Sequence, residues 1–314
     1  MNLDFYMVAS NLMSLFILMA AGYFAIKAKI LDERASPVFS SLLMKMTMPC
    51  TIFTSIAGRK YDPAFLHDGL TIIIAGIVIF SCLMYLSRYI AILLRIPKNQ
   101  RGVWAFASSY TNSGYMGFPI ALVLFGGSGL ALAVMLNVAF NIVVFTIGAL
   151  EVARDNPNPS ENKISAKSII FSVVNFATLI SMIFYFGQIK LPIFVSMPLN
   201  YLSNLTTPIS MIIIGIALAN SKFSQLFTDI HAWTSSFLSL LIYPVILCLL
   251  LKFIPLSSNP LVSAILVLII AMPAASLTTV FTEMYHADTD FGARILFIQN
   301  LFCVVTIPLI CMMI

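Results

Sequence analysis

Charged side chains are scarce in this sequence. They account for 9% of the 314 residues, whereas hydrophobic residues account for 60%. Soluble proteins carry about 25% charged residues. The mean hydropathy is +1.00. A soluble globule of this length needs a charged surface, so the composition excludes that class and predicts a protein that crosses a membrane several times.

The signatures of enzymes and of ATP-driven pumps are also missing. The sequence has no Gly-x-Ser-x-Gly elbow and no Walker-type phosphate loop, and its three histidines lie near loops without metal-ligand spacing. The five cysteines lie in apolar stretches without a Cys-x-x-Cys pair, so they predict neither disulfides nor metal ligands. We therefore predict no enzymatic activity, no metal and no cofactor. A membrane-embedded sensor or enzyme is the alternative of another class, but no segment is long enough for a soluble output domain.

Ten apolar runs are long enough to cross a bilayer, which takes about 20 residues each. They cover residues 5–26, 36–57, 69–94, 103–125, 130–150, 168–188, 196–219, 232–252, 261–282 and 293–313. The longest hydrophilic stretch, 151–167, separates five spans in residues 1–150 from five in 168–314. The sequence thus predicts an all-α polytopic membrane protein with two five-helix repeats and a connecting loop.

Lysine and arginine are distributed unequally between the two sides of these spans. Twelve lie in or beside the odd-numbered loops, and four lie on the other side, namely Arg59, Lys60, Lys190 and Lys252. The positive-inside bias places the twelve, and with them the connecting loop, in the cytoplasm. Both termini are then extracytoplasmic, in a multi-pass protein of the inner or plasma membrane. The net charge of +5 follows from this bias, so no nucleic-acid partner is implied.

Five spans are an odd number, so the second half enters the membrane upside down relative to the first, as in transporters with inverted repeats. Polar or helix-breaking landmarks recur in corresponding spans. They are Met48-Pro49 with Thr207-Pro208, Asn141 with Asn300, and Pro119 with Pro273. Their nearly constant offset of about 155–160 residues supports two inverted repeats.

Pro119 and Pro273 lie within the apolar runs of spans four and nine. A proline inside a helix costs about 3 kcal/mol or more, and hydrocarbon cannot satisfy the freed backbone groups. We predict that Gly117 and Pro119 break span four, that Pro273 breaks span nine, and that the two breaks cross near the bilayer centre. The simpler alternative is that these residues only kink tightly packed helices.

A polar run precedes Pro119 and includes Asn112, Ser113 and Gly114, and Ser276 follows Pro273. Half-helix N-termini at a break favour anions, so these groups predict a site for a small carboxylate. Asn141 and Asn300, in spans five and ten, either line the same cavity or join helices by hydrogen bonds.

Three charged residues are candidates for coupling or anion pairing. Lys45 lies halfway along span two, where a charge costs about 2.5–3.5 kcal/mol. It could hold the substrate anion or change protonation, or it could pair structurally with a carboxylate. Asp68 and Glu283 lie near span ends and could be proton or cation sites, or ordinary solvated carboxylates.

The motif Asn112-x-Gly114-x-x-Gly117-x-Pro119-Ile120 resembles that of the auxin efflux carrier family of secondary transporters. The runs 48–49, 271–274 and 283–285 support the resemblance, which covers essentially the whole chain. Family members have ten spans in two inverted repeats, with spans four and nine crossing at their prolines. The resemblance implies that Asn112 and the backbone around Pro119 and Pro273 contact the substrate carboxylate, and Asp68 is similar to an aspartate of the plant carriers. Lys45 matches no family motif.

The short connecting loop makes the chain similar to bacterial members. We therefore expect a secondary transporter of small organic anions such as malate, malonate or an auxin-like carboxylate. It would work by alternating access, with possible coupling to H⁺ or Na⁺. Spans one, two, six and seven are expected to form a scaffold or a homodimer contact. The alternative is a sodium-coupled symporter of the bile-acid type, whose sodium sites need deep carboxylates or clustered amides.

Overall fold

The computed structural model describes residues 5–32, 35–154, 173–220 and 229–314, without the side chains of 5–9, 11–12, 220 and 283–284. These residues form helices and no strand. The α-helices are α1 (Phe5–Lys27), α2 (Ala35–Leu42), α3 (Met48–Ala57), α4 (Pro63–Leu93), α5 (Arg101–Ser109), α6 (Phe118–Val143), α7 (Ala149–Ala153), α8 (Val173–Gly187), α9 (Ile193–Asn220), α10 (Ile230–Phe237), α11 (Tyr243–Phe253), α12 (Pro260–Ile270), α13 (Leu277–Met284) and α14 (Thr289–Cys311). Wider π-helical turns occupy Leu43–Thr47, Ser113–Gly117, Val144–Gly148 and Leu238–Ile242.

Several of these helices can cross a membrane. Five stretches are long and apolar enough, namely Pro63–Leu93, Ser113–Ala153, Ile193–Ala219, Ile230–Phe253 and Thr289–Cys311. Three shorter apolar helices are Met13–Lys27, Val173–Gly187 and Pro260–Ile270. The prediction of an all-α polytopic membrane protein is confirmed. Most of the connecting loop, residues 155–172, lies outside the described residues.

Helix starts follow from side-chain caps in the loops. Asp62 caps α4 by accepting the N–H of Ala64 at 2.9 Å, and Asn259 caps α12. A proline at the next position, Pro63 or Pro260, needs no intrahelical partner for its nitrogen. Such caps contribute about 1 kcal/mol each, and they fix where the polar loops end.

Three prolines inside the spans each follow a π-helical turn. Pro49, Pro119 and Pro244 each stand two residues beyond such a turn, as the second residue of the α-helix that follows it. A proline lacks the N–H and its ring clashes with the carbonyl four residues back. That carbonyl belongs to the middle residue of the π turn in all three cases, where the wider winding makes room for the ring. Each proline is thus accommodated by a local widening of the helix just before it.

The direction of the chain reverses within α6. Gly126 has φ 65° and ψ −164°, a conformation essentially restricted to glycine. A straight helix would separate Ser113 from Asn137 by about 36 Å. Instead the Ser113 hydroxyl donates to Asn137 Oδ1 at 2.8 Å. Spans four and five are therefore joined by a tight turn at Gly126.

The helices pack as two groups. The first consists of α1, α2, α3, α8 and α9, which lie mainly against one another. The second consists of α4 to α7 and α10 to α14. In the first group, Gly22 of α1 and Gly215 of α9 each face the other helix's backbone, with no room for a Cβ atom. Small residues at such crossings are how helices approach closely in membranes.

Candidate functional site

The unwound segments of spans four and nine cross each other. Thr111, between α5 and the following π turn, forms an antiparallel bridge with Ala274, between α12 and α13. Beside it the N–H of Asn112 donates to the Pro273 carbonyl at 2.7 Å. Backbone groups freed by one break are thus satisfied by the other, which hydrocarbon could not do.

The break in span four lies elsewhere than the sequence predicted. Its non-helical residues are 110–112, upstream of the predicted Gly117 and Pro119. Pro119 is the second residue of α6, a position where a missing N–H does no harm. In span nine, Pro273 does lie within the non-helical stretch 271–276. The two prolines are therefore not equivalent in the structure.

Gln299 of α14 fastens this crossing. Its Oε1 accepts the N–H of Ala274 at 2.7 Å, and its Nε2 donates to the Ala107 carbonyl at 3.2 Å. The side chain is fully buried. One amide therefore links both broken spans to span ten.

The side-chain amide of Asn112 uses its oxygen within the protein, whereas its nitrogen is left for another partner. Its Oδ1 accepts the N–H of Tyr115 at 3.1 Å and so caps the π turn that follows. Its Nδ2 has no hydrogen-bond partner within the residues that the structure describes. The side chain lines a cavity, so this N–H₂ group is available to a ligand.

That cavity has a volume of about 320 Å³ and lies beside the crossing. Its walls are mostly apolar with a few polar groups, as in small-molecule sites generally. They consist of Met44, Met48, Thr111, Asn112, Ser113, Gly114, Tyr115, Phe118, Asn137, Phe140, Asn141, Phe145, Val174, Ala275, Ser276, Leu277 and Val280. We call it the crossing cavity. Met44, Met48 and Val174 belong to the first helix group and the others to the second, so the cavity lies between the groups.

The electrostatics of the crossing cavity come from dipoles. Its lining residues include no charged side chain. Two helical segments begin at its wall, one at Ser113 and one at Leu277, and helix N-termini carry partial positive charge. Hydroxyl and amide groups add further donors. Such an arrangement can bind an anion without a fixed cation.

Two hydrogen-bonded pairs connect the cavity wall. Ser113 donates to Asn137, and Asn141 Nδ2 donates to Asn175 Oδ1 at 2.8 Å. Asn175 belongs to α8, so the second pair joins the two helix groups. Across the part of the chain that the structure describes, no group of three or more His, Cys, Asp or Glu could hold a metal ion.

The sequence matches a family of known proteins over nearly its whole length. The family model described as membrane transport protein matches residues 7–311. The chain belongs to this family. It is the auxin efflux carrier family that the span-four motif resembles, so that prediction is confirmed.

Relatives of this membrane transport protein have similar lengths. The uncharacterized transporter MJ1031 of Methanocaldococcus jannaschii is 27% identical over 305 residues, covering 93% of this chain and 94% of that protein. The uncharacterized transporter YfdV of Escherichia coli O157:H7 is 23% identical over 313 residues, covering 95% of each. An uncharacterized transporter of Methanothermobacter thermautotrophicus is 25% identical over 303 residues, covering 95% and 96%.

In this family member, the crossing cavity gathers five of the sequence-predicted substrate residues. They are Asn112, Ser113, Gly114, Asn141 and Ser276. The other three, Pro119, Pro273 and Asn300, are not lining residues. Pro273 contributes to the crossing through its carbonyl, which accepts from the N–H of Asn112. Asn300 donates to the Leu296 carbonyl of its own helix at 2.8 Å.

Neither Lys45 nor Asp68 is among these lining residues. Lys45 is the middle residue of the π turn Leu43–Thr47, with an exposed side chain, beside the lining residue Met44. The side chain of Glu283 is outside the described part of the structure. Asp68 is buried, so it is not an ordinary solvated carboxylate.

Sequence reasoning did not single out Asn175, Met44 or the three phenylalanines of the wall. An amide within the apolar run of span six was a usable signal for Asn175. The phenylalanines carry no such signal, because the chain has 25 of them. Only the packing shows which ones face the cavity.

Asp68 holds the start of span nine. Its Oδ1 accepts from the Ser257 hydroxyl at 2.6 Å, and its Oδ2 accepts from Asn259 Nδ2 at 2.7 Å. Asn259 is the cap of α12. We expect Asp68→Ala to lower the free energy of unfolding by about 2 kcal/mol, since hydrogen bonds to a charged group are lost. Thermal unfolding in detergent measures this, with Asp290→Ala as the control because that aspartate is exposed. Equal melting of the two variants would contradict this role.

Proposed function

We propose that this protein is a secondary transporter that carries small organic anions across the plasma or inner membrane by alternating access. The observation that carries the proposal is the position of the crossing cavity. It lies between two helix groups and at the N-terminal ends of two half-helices. Relative movement of the groups would open such a cavity to either side in turn.

The contacts between loops support a ten-span arrangement in two inverted repeats, 1–150 and 168–314, with both termini outside. Loops after even-numbered spans contact one another through Arg59 with Ser128 and Asp68 with Asn259. The loops after odd-numbered spans, with the adjoining ends of the spans, also contact one another. These contacts are Gln100 with Asp288, Arg294 with Asp229, and Arg88 with Glu151. Each set belongs to one predicted side of the membrane.

The walls favour one kind of anion. Three phenylalanines, two methionines and four aliphatic residues surround a few donors. Burial of apolar surface is favourable by about 25 cal/mol per Å². A monocarboxylate with an apolar body would therefore gain more here than malate or malonate, whose second carboxylate would face an apolar wall.

The test is uptake of labelled indole acetate, malate and malonate into proteoliposomes. We expect flux driven by an imposed gradient or by exchange, with indole acetate transported at least about tenfold better than malonate. Liposomes without protein give the background. Absence of gradient- or exchange-dependent flux for every carboxylate would refute the proposal.

A sodium-coupled symporter remains the second candidate because of one observation. The amides of Asn112, Asn137, Asn141 and Asn175 cluster at or beside the cavity, and amide oxygens are ligands for hard cations. Repeating the uptake with choline in place of Na⁺ separates the candidates. Loss of flux in choline favours sodium symport, and unchanged flux favours H⁺ coupling, exchange or uniport. The helices α1 to α3, α8 and α9 would form the scaffold and the contact of a homodimer.

A further inference from the structure

A second cavity lies within the first helix group, at the end predicted to face outward. Its volume is about 490 Å³, and it lies between the end of α3 and the connection from α8 to α9. None of its lining residues belongs to the crossing cavity. Three of its lining residues are cations, Arg59, Lys60 and Lys190, and we call it the outer basic cavity.

The concentration of positive charge here is unusual for this chain. Only four of its 17 Lys and Arg residues are predicted on the outer side, and three of those four line this one cavity. No acidic residue is among the lining residues. The carboxylate of Asp62, which is not a lining residue, interacts with Arg59 and also caps α4. The cavity therefore carries net positive charge.

Arg59 is held in place while the lysines are free. Its Nε donates to the Ser55 carbonyl at 2.9 Å, its Nη2 donates to Ser128 Oγ at 2.7 Å, and its guanidinium lies over the Phe65 ring. Burial lowers the pKa of Arg59 from its usual value, whereas Tyr185 and Asp62 raise it. Within the residues that the structure describes, neither Lys60 nor Lys190 has an ion-pair partner, and both are exposed.

The surroundings of the cavity are apolar. Phe53, Ile189 and Leu199 line it beside the cations. On the adjoining surface of α9, Phe194 is 77% exposed and Met197 is 47% exposed. A ligand with a charged end and an apolar chain could place its charged end among the three cations and its chain along the apolar side chains of α9. Basic pockets between membrane helices recognise anionic lipid head groups in this way.

We propose that the outer basic cavity binds an oxyanion, phosphate or carboxylate, that carries an apolar chain. The two sources of this chemistry are anionic phospholipids of the membrane and free amphipathic acids. Arg59 also contacts the turn between spans four and five, so occupancy of this cavity would act on the element that leads to the crossing. The inference does not depend on what the crossing cavity transports.

The experiment is a titration of the full chain, purified in neutral detergent, followed by thermal unfolding. The probes are dioleoyl phosphatidylglycerol, dioleoyl phosphatidylcholine and octanoate. A ligand that binds only the folded state raises the melting temperature. We compare the wild type with Lys60→Gln/Lys190→Gln, in which both changes are at exposed positions. The matched control is Lys252→Gln, which removes the fourth outer cation from a different cavity.

We expect phosphatidylglycerol or octanoate to stabilise the wild type, and phosphatidylcholine to do so far less. Each lysine should contribute about fivefold, so in the double variant the half-maximal concentration should rise roughly 25-fold. Lys252→Gln should stay within twofold of the wild type. An effect of phosphatidylglycerol that is weakened in the double variant identifies the lipid as the source, and an effect of octanoate alone that is weakened in the same variant identifies a free acid.

The proposal is overturned if phosphatidylcholine stabilises equally, or if the double variant behaves like Lys252→Gln. It is also overturned if the double variant changes only the oligomeric state on size exclusion, because a second copy of the chain would then cover this face. Failure of carboxylate transport would leave these results unchanged, so the two proposals fail separately.

Discussion

Asn112→Asp is expected to abolish anion binding at the crossing cavity while the protein stays folded. The aspartate keeps the oxygen that caps the N–H of Tyr115, and a carboxylate at a helix N-terminus is favourable. What changes is the free Nδ2 donor, which becomes an oxygen with negative charge. The substitution therefore separates ligand binding from the helix cap.

The expected effect is large because two terms act together. A charge-assisted hydrogen bond contributes about 1.5–3 kcal/mol, and two like charges at about 4 Å repel by about 4 kcal/mol at an effective dielectric constant near 20. Partial protonation of the aspartate would reduce the repulsion. We therefore expect a rise in Kd for the carboxylate of at least about 100-fold, measured by thermal shift and by flux in proteoliposomes.

Asn300→Asp is the matched control for this experiment. Asn300 is a half-buried asparagine of α14, but its Nδ2 donates to the Leu296 carbonyl of its own helix and it does not line the cavity. Flux should fall far less in this variant. If both variants transport equally well, Asn112 does not contact the anion and the crossing cavity is not the site.

That several stretches of the chain can cross a membrane, and that spans four and nine meet, could be predicted from the sequence, because both depend on local properties. Apolar run length sets where a helix can cross a bilayer, and glycine or proline within such a run signals a break. The site of the break could not be placed, since the clash at Pro119 is relieved by the π turn Ser113–Gly117. The chain then unwinds before that turn, at 110–112.

The composition of the candidate site was most fully predictable in its span-four part. Asn112, Ser113 and Gly114 are contiguous, so a motif captures them. Asn141 and Asn300 have equal offsets within the predicted repeats, yet Asn141 faces the cavity and Asn300 bonds within its own helix. The rotation of each helix about its axis and its packing decide which of the two side chains faces the cavity. The pattern of a single sequence does not reveal that rotation.

Gln299→Leu is expected to weaken the crossing itself. Leucine has a similar size, but it leaves the N–H of Ala274 and the carbonyl of Ala107 without their partner at a fully buried position. An unsatisfied buried group costs about 1–3 kcal/mol, so we expect the free energy of unfolding to fall by about 3 kcal/mol. Thermal unfolding in detergent measures the change, and Asn300→Leu is the control with the same exchange of an amide for leucine one residue away.

Gln299 lies outside the crossing cavity, so its loss should act on flux through the geometry of the crossing. We expect Gln299→Leu to lower both the melting temperature and the flux, and Asn112→Asp to lower the flux alone. Asn300→Leu should change neither by much, because its hydrogen bond lies within one helix. Equal melting of Gln299→Leu and Asn300→Leu would mean that the backbone bonds between the two breaks hold the crossing without span ten. The three variants together separate the residues that bind the anion from the one that holds its site in shape.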